Sequence, residues 1–349
     1  MKVIVTAGGT GGHIYPALGL IEEIMKDKNN EVLYIGTIDR MESKIVPEKG
    51  IKYVGIEMYG LTKNIFKDIK DIYCIASSYK KCKKIMKEFK PDYVIGFGGY
   101  VTFPVLLAAH KLGIRTGLHE QNKLPGKTNK YLSKITDTTF ASFTDDDHVF
   151  KNKVVLSGNP CAQKAVEAKP HDKTKLGFSK NKKLIVIVMG SLGSEIVNNR
   201  IKDYLMNFDR TDSEVLYITG NSNYDTFKDV KVPSSVKVVP YYNDLSGLLK
   251  VSDLVISRAG ASTISELLAL DKPSILIPSP YVANNHQYYN ALDLKEKGLC
   301  YMLEQKDLNE ENLKKAVDYC FKNQDVMIDL LKKQKKPSAS TIIVEEMKK

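Results

Sequence analysis

His13 stands directly after two glycine pairs separated by Thr10, in the stretch VIVTAGGTGGHIYPALGL, between an apolar strand-like segment and an amphipathic helix-like one. A histidine at the mouth of such a loop sits at a helix start, at the strand end where α/β sites lie. The positive end of a helix disfavours the imidazolium, and a neutral ring can accept a proton, so His13 is a candidate general base. A second dense stretch is SRAGASTISELLALDK. Arg258 offers a planar fork suited to phosphate oxygens. Ala259 to Ser262 are small enough for a ligand to lie against the backbone, and Ser262 or Thr263 can cap the helix. Glu266 reads either as a capping-box carboxylate or as the acceptor of two ribose hydroxyls. NNHQYYNA adds amides suited to sugar hydroxyls, Gln287 among them.

These groups need scaffolds, and the chain repeats one device. KVIVTA, YVIGF, KLIVIVM and DLVIS are short β-rich runs, each followed by a small-residue loop and then by apolar residues at helical spacing. Strand, glycine loop and helix in alternation predict parallel βαβ units and an α/β fold. The pattern restarts at Lys183, after the polar stretch LSGNPCAQKAVEAKPHDKTKLGFSKNKK, so the reading is two Rossmann-like domains in tandem. The expected domains are residues 1–157 and 158–336, with a C-terminal helix over 337–349 packing back on the first. GGTGGH and GFGGYV both miss G-x-G-x-x-G, and no P-loop occurs, so neither dinucleotide nor P-loop chemistry has its fingerprint. Asp39, after the second strand, is a weak imitation of a ribose-binding acid.

Composition narrows the class. A chain of 349 residues, 43% of them hydrophobic, builds real cores. Cys74, Cys82, Cys161, Cys300 and Cys320 show no metal-ligand spacing and read as reduced buried thiols, the pattern of a cytoplasmic protein. The net charge of +11 is carried by lysine, with arginine only at 40, 115, 200, 210 and 258, which speaks against base readout in nucleic acid. A polyanionic ligand or an anionic membrane surface fits better. The acidic run Asp145 to Asp147 reads as a solvated loop or cap, and no metal or other cofactor is expected.

GGTGGHIYPALGL, GFGGYVTFP, HEQNKLPGKTNKYL, SGNP, GSLGSEIVN, SRAGASTISELLAL and NNHQYYNA occur in this order over nearly the whole chain. Together they resemble the MurG family of N-acetylglucosaminyltransferases, which complete lipid II in bacterial peptidoglycan synthesis. The resemblance implies a GT-B fold with the acceptor domain first, the UDP-GlcNAc donor domain second, and a deep inter-domain cleft. It implies that Thr10, Gly11 and Gly12, with Gly98, Gly99 and Tyr100, face the acceptor pyrophosphate and the reacting centre, the first three also touching the donor. His13 would be the base on the acceptor 4-hydroxyl and Glu120 a second catalytic residue, with Glu120 and the donor-binding Asn122 near the transferred sugar and the acceptor. Ser191 would contact the donor phosphates and the Tyr242 backbone the uracil. Arg258 and Ala261, Ser262, Thr263, Ile264 and Ser265 would line the nucleotide pocket, with Glu266 on the ribose and Gln287, and Asn290 beside it, on the GlcNAc hydroxyls. The chain departs from the family after GNP, where Cys161 and Ala162 replace an arginine found in many members; Lys164 is a candidate substitute.

The implied partners are UDP-GlcNAc, undecaprenyl-linked lipid I and an anionic membrane surface, with room for other cell-wall synthesis proteins and none for nucleic acid. Ile65, Ile69, Ile72 and Ala76 form one helical stripe followed by clustered lysines. That stripe is either buried under a solvated face or, if part of it is exposed, a dock for peripheral attachment at the cytoplasmic side of the cell membrane. Rival readings are a GT-B enzyme acting on another lipid, a UDP-GlcNAc epimerase, and a nucleotide-sugar-binding regulator without turnover.

Overall fold

Val3, Ile4 and Val5 are fully buried, as are Ile185, Val186 and Ile187. Consecutive apolar residues hidden on both faces are what parallel strands between two helix layers require. The computed structural model describes residues 1–58, 65–190, 193–334 and 337–349, with 65–73 followed along the backbone only. The chain divides into two compact units, Met1–Gln163 with Lys336–Lys349, and Lys164–Lys335.

In the first unit the strands are β1 (Lys2–Thr6), β2 (Glu31–Thr37), β3 (Lys52–Ile56), β4 (Tyr93–Gly96), β5 (Arg115–Glu120), β6 (Thr138–Ala141) and β7 (Lys153–Leu156). Among the described residues they form one parallel sheet in the order β3-β2-β1-β4-β5-β6-β7. The strand order reverses between β1 and β4, so the loops leaving these neighbours open a crevice at their carboxyl ends. Both glycine loops of this unit emerge there.

The second unit repeats the plan with β8 (Lys183–Val188), β9 (Ser213–Ile218), β10 (Val236–Val239), β11 (Leu254–Ser257), β12 (Ser274–Leu276) and β13 (Tyr301–Met302). Their order is β10-β9-β8-β11-β12-β13, again parallel, with the reversal between β8 and β11. Arg258 follows β11 directly.

The last helix, Ala339–Lys348, belongs to the first unit. Ile343 and Met347 join the apolar cluster around Val3, Ile14 and Leu18. Ser340 donates to the Gly19 carbonyl at 3.2 Å, and Arg115 Nη1 donates to the Met347 carbonyl at 3.0 Å, satisfying a helix-end acceptor. Gly19 is required where it stands, since a Cβ there would lie 2.7 Å from the Pro160 carbonyl oxygen.

The long helix Ile65–Phe89 turns Cys74, Ser78, Cys82 and Met86 inward at four-residue spacing, while Ala76 is exposed. Ala76 thus lies off the buried face, and the side chains of Ile65, Ile69 and Ile72 fall outside the described residues. All five cysteines are buried thiols outside any disulfide, and burial pushes the Cys82 thiol up to about 12. Asp145 accepts from the Val149 and Phe150 amides, and Asp146 pairs with Lys123. Among the described residues no group of three or more acidic, Cys or His side chains could hold a metal, and no helix is long and apolar enough to cross a membrane.

Candidate functional site

In the first unit the helix Gly11–Ile24 begins directly after the first glycine loop, with Thr10 at its N-cap. No side chain caps it and no acid sits in its first turn. The backbone amides of Thr10, Gly11 and Gly12 meet no acceptor among the described residues. Three adjacent amides at the positive end of a helix form a ready anion cradle. The sheet brings the second loop against the first: the Gly8 amide donates to the Gly98 carbonyl at 3.2 Å. Gly98 and Gly99 adopt φ of +110° and +87°. A Cβ on Gly99 would lie 2.4 Å from the Gly8 carbonyl oxygen, so only glycine permits this approach. Tyr100 stands at the tip, largely exposed.

His13 is half-buried, with its ring against Gly98: a Cβ there would lie 2.9 Å from both Cδ2 and Nε2. Its Nδ1 lies 3.1 Å from the Gly8 carbonyl oxygen and 3.3 Å from Thr10 Oγ1. A carbonyl only accepts, so Nδ1 carries the hydrogen and the neutral ring leaves Nε2 with its lone pair free. That is the tautomer a general base needs.

Glu120, nearly buried, is placed differently from a free acid. Its Oε1 accepts from the Asn122 amide at 3.0 Å and side chain at 3.3 Å, and its Oε2 from the Gly126 amide at 3.1 Å and Asn129 Nδ2 at 2.8 Å. Four donors organise the loop that carries Asn122, so the carboxylate serves as a loop anchor. His119, in the same HEQN cluster, is fully buried and stacks on Phe97 at 5.0 Å between ring centroids. It donates from Nε2 to the Gly158 carbonyl, and burial lowers it to about 4, which keeps it neutral. Cys161 is buried and Lys164 exposed beyond it.

In the second unit the helix Ala261–Ala269 has Gly260 at its N-cap, with no side-chain cap and no acid in its first turn. Ser262 and Thr263 are therefore helical residues and not caps, a correction to the sequence expectation: the chain reaches helical geometry one residue after Gly260. Ile264 packs into the core, and Ser265 Oγ donates to the Ala261 carbonyl at 2.7 Å. Glu266 makes no side-chain hydrogen bond among the described residues, so the capping-box reading fails as well. Burial pushes its carboxyl up to about 7.

Arg258 donates to the Ile277 carbonyl at 3.2 Å, Ser194 Oγ at 2.8 Å and Gln305 Oε1 at 2.7 Å. All three acceptors are neutral. Burial lowers the guanidinium to about 10, and no carboxylate pairs with it among the described residues. A fixed, uncompensated cation beside an uncapped helix start is suited to a diphosphate. Gln287 fixes its carbonyl on the Ser279 amide at 2.9 Å, whereas Asn290 is buried and donates to the Ala259 carbonyl. Asn284 and Asn285, with φ of 53° and 50°, make the turn that leads into the Gln287 helix. Ser191 lies outside the described residues.

Three residues in contact with these candidates carry no signal in the sequence reading. Gln305 reaches Arg258 across 47 residues, and no local motif marks it. His171 bridges Tyr242 and Asp244, with Nδ1 at 2.8 Å from the Tyr242 hydroxyl and Nε2 at 2.8 Å from Asp244 Oδ2. Glu42 is buried beneath the first glycine loop, while Asp39, the acid noted there from sequence, is exposed.

Comparison with known proteins identifies the family of the chain. Residues 3–141 match the glycosyltransferase family 28 N-terminal domain and residues 184–345 its C-terminal domain. A protein of Caldanaerobacter subterraneus subsp. tengcongensis is 41% identical over 97% of this chain and 96% of its own length. One of Bacillus cytotoxicus is 41% identical over 100% and 99%. Both are named UDP-N-acetylglucosamine--N-acetylmuramyl-(pentapeptide) pyrophosphoryl-undecaprenol N-acetylglucosamine transferase. The crystal structure of Acinetobacter baumannii MurG superposes with a TM-score of 0.81 at 26% identity, covering 99% of each chain. The chain belongs to glycosyltransferase family 28 and, within it, to the MurG family of N-acetylglucosamine transferases.

Proposed function

We propose that this chain transfers N-acetylglucosamine from UDP-GlcNAc to the 4-hydroxyl of the N-acetylmuramyl residue of lipid I, giving lipid II with inversion at the anomeric carbon. The observation that carries the reading is the contact of His13 Nδ1 with the Gly8 carbonyl oxygen at 3.1 Å: a carbonyl only accepts, which places the hydrogen on Nδ1 and makes Nε2 the basic atom. The first unit handles the acceptor, and the second holds the donor.

The reaction balances on these residues. His13 Nε2 takes the proton of the acceptor hydroxyl as that oxygen bonds to C1 of the sugar. The bond from C1 to the phosphate oxygen breaks, and its electron pair leaves with UDP. Negative charge grows on the diphosphate during this step, where Arg258 and the amides at the start of the helix Ala261–Ala269 stabilise it most. Proton removal by a positioned base contributes about 10² to 10⁴-fold. Glu266, free of internal partners, accepts the ribose hydroxyls, and Gln287 directs its amide hydrogens to the sugar. Glu120 acts by holding the Asn122 loop. The Tyr242 segment meets the uracil, braced by His171.

Acceptor chemistry sets the location. A polyprenyl-linked substrate stays in the bilayer, so the enzyme works as a peripheral protein on the cytoplasmic face, where other cell-wall synthesis proteins also act. Exposed Lys80, Lys84 and Lys87 on one helix suit an anionic surface.

The deciding assay presents purified protein with lipid I and UDP-GlcNAc, UDP-GalNAc or UDP-glucose. Formation of β-linked lipid II with UDP-GlcNAc preferred supports the reading. Isomerised sugar from UDP-GlcNAc alone would mark an epimerase, and UDP binding without transfer would mark a regulator.

A further inference from the structure

Glu42 is the first residue of the helix Glu42–Glu48 and is fully buried. Its Oε1 accepts from the Thr37 amide at 3.2 Å and the Thr37 hydroxyl at 2.7 Å, and its Oε2 accepts from the Gly9 amide at 3.2 Å. No lysine or arginine pairs with it among the described residues. Burial raises the phenols of Tyr34 and Tyr53 beside it, and the Glu42 charge adds to that rise. A buried carboxylate held only by neutral donors is costly to keep, so its position calls for a reason.

The reason lies in one peptide. The Gly9 N–H that Glu42 accepts belongs to the same planar unit as the Gly8 carbonyl that receives His13 Nδ1–H. Carboxylate and imidazole thus hold opposite ends of a single peptide group. Rotating that peptide would withdraw the acceptor from Nδ1 and turn a donor toward it. Accepting from the N–H also polarises the peptide and strengthens its carbonyl as an acceptor. Gly8 is compelled by the same contact, because a Cβ there would lie 2.5 Å from Glu42 Oε1. We propose that Glu42 is a positioning residue for the reaction: through the Gly8–Gly9 peptide it fixes the Nδ1–H tautomer of His13 and so presents Nε2 as the base. The proposal rests on the reading of His13 as that base.

Glu42→Gln tests it, because the amide turns a donor toward either the Gly9 N–H or Thr37. We expect kcat for lipid II formation to fall about tenfold or more, with KM for UDP-GlcNAc changed less than about twofold. Nitrogen-15 NMR of the His13 ring should pass from one Nδ1–H pattern to a mixture. In a His13→Ala background Glu42→Gln should lower kcat no further. A kcat near that of the unaltered enzyme, an unchanged ring pattern, or full additivity with His13→Ala would each overturn the proposal. Should Glu42→Gln not fold, Thr37→Val decides: it removes one donor from Oε1 and should move kcat and the ring pattern the same way by less, and no movement counts against the proposal. Full activity of His13→Ala would sink the base reading itself. An inactive His13→Ala beside an unimpaired Glu42→Gln would sink the Glu42 role alone.

Discussion

Arg258 Nη2 donates to the side-chain oxygen of Gln305 at 2.7 Å, and that oxygen is neutral. A glutamate in the same place would form a buried ion pair and cancel the charge the site holds out. The guanidinium, at about 10, stays protonated at neutral pH, so its charge is available to a ligand. Gln305→Glu should therefore weaken UDP affinity by about tenfold or more, since hydrogen bonds to charged groups are worth about 1.5–3 kcal/mol. Calorimetric titration with UDP checks this, and a thermal scan separates it from unfolding. An unchanged Kd would remove Arg258 from the diphosphate.

Glu266 gives a pH dependence with a definite sign. Burial raises its carboxyl from 4.5 to about 7 in the folded chain. Two ribose hydroxyls donate best to the ionised form, so KM for UDP-GlcNAc should fall between about pH 6 and about pH 8, and Glu266→Gln should flatten that dependence. Stability runs the other way. Between the unfolded and folded values the native state binds more protons, so stability declines as pH rises from about 4.5 to about 7 and is level above. Glu266→Gln should then be more resistant to urea than the unaltered protein at about pH 8, while binding donor less well. Equal urea midpoints at that pH would mean the carboxyl is not desolvated.

Much of this was legible in the chain, for physical reasons that differ by residue. The strands around Val3 and Ile185 announce themselves because burial on both faces demands unbroken apolar runs. Gly98, Gly99 and His13 are visible because close loop approach needs glycine and a helix start favours certain side chains. The cap of the helix after Arg258 was misread because Ser262 and Thr263 have capping chemistry, while Gly260 has the extended backbone and takes the position. His171, Gln305 and Glu42 were missed since each acts across the fold: His171 meets residues 71 and 73 positions away. Periodicity reports which face is buried and carries no record of which distant polar groups meet.

The helix Ile65–Phe89 leads to a membrane test. Lys80, Lys84 and Lys87 are exposed on it, opposite a buried face that includes Cys82 and Met86. Each lysine near an anionic surface is worth about 1 kcal/mol. Reversing all three to glutamate should abolish sedimentation with phosphatidylglycerol vesicles at low salt, yet leave turnover of a water-soluble acceptor analogue unchanged. Equal binding of the unaltered protein to neutral and anionic vesicles would dismiss this surface.

Gly98 offers the most direct perturbation of the base. An added Cβ would press on His13 Cδ2 and Nε2 at 2.9 Å, and the φ of +110° disfavours any L side chain. The His13 ring is the mobile partner in that clash, whereas at Gly99 the clash is with backbone at 2.4 Å. Gly98→Ala should therefore displace the imidazole, lowering kcat by about 10² or more at a stability cost of about 1–3 kcal/mol. Gly99→Ala should separate the two loops and cost more stability. Thermal scans and kcat on both variants test the contrast, because the first should lose turnover well beyond its loss of fold. A Gly98→Ala enzyme with normal kcat would show that the ring has room to move without leaving the reacting centre.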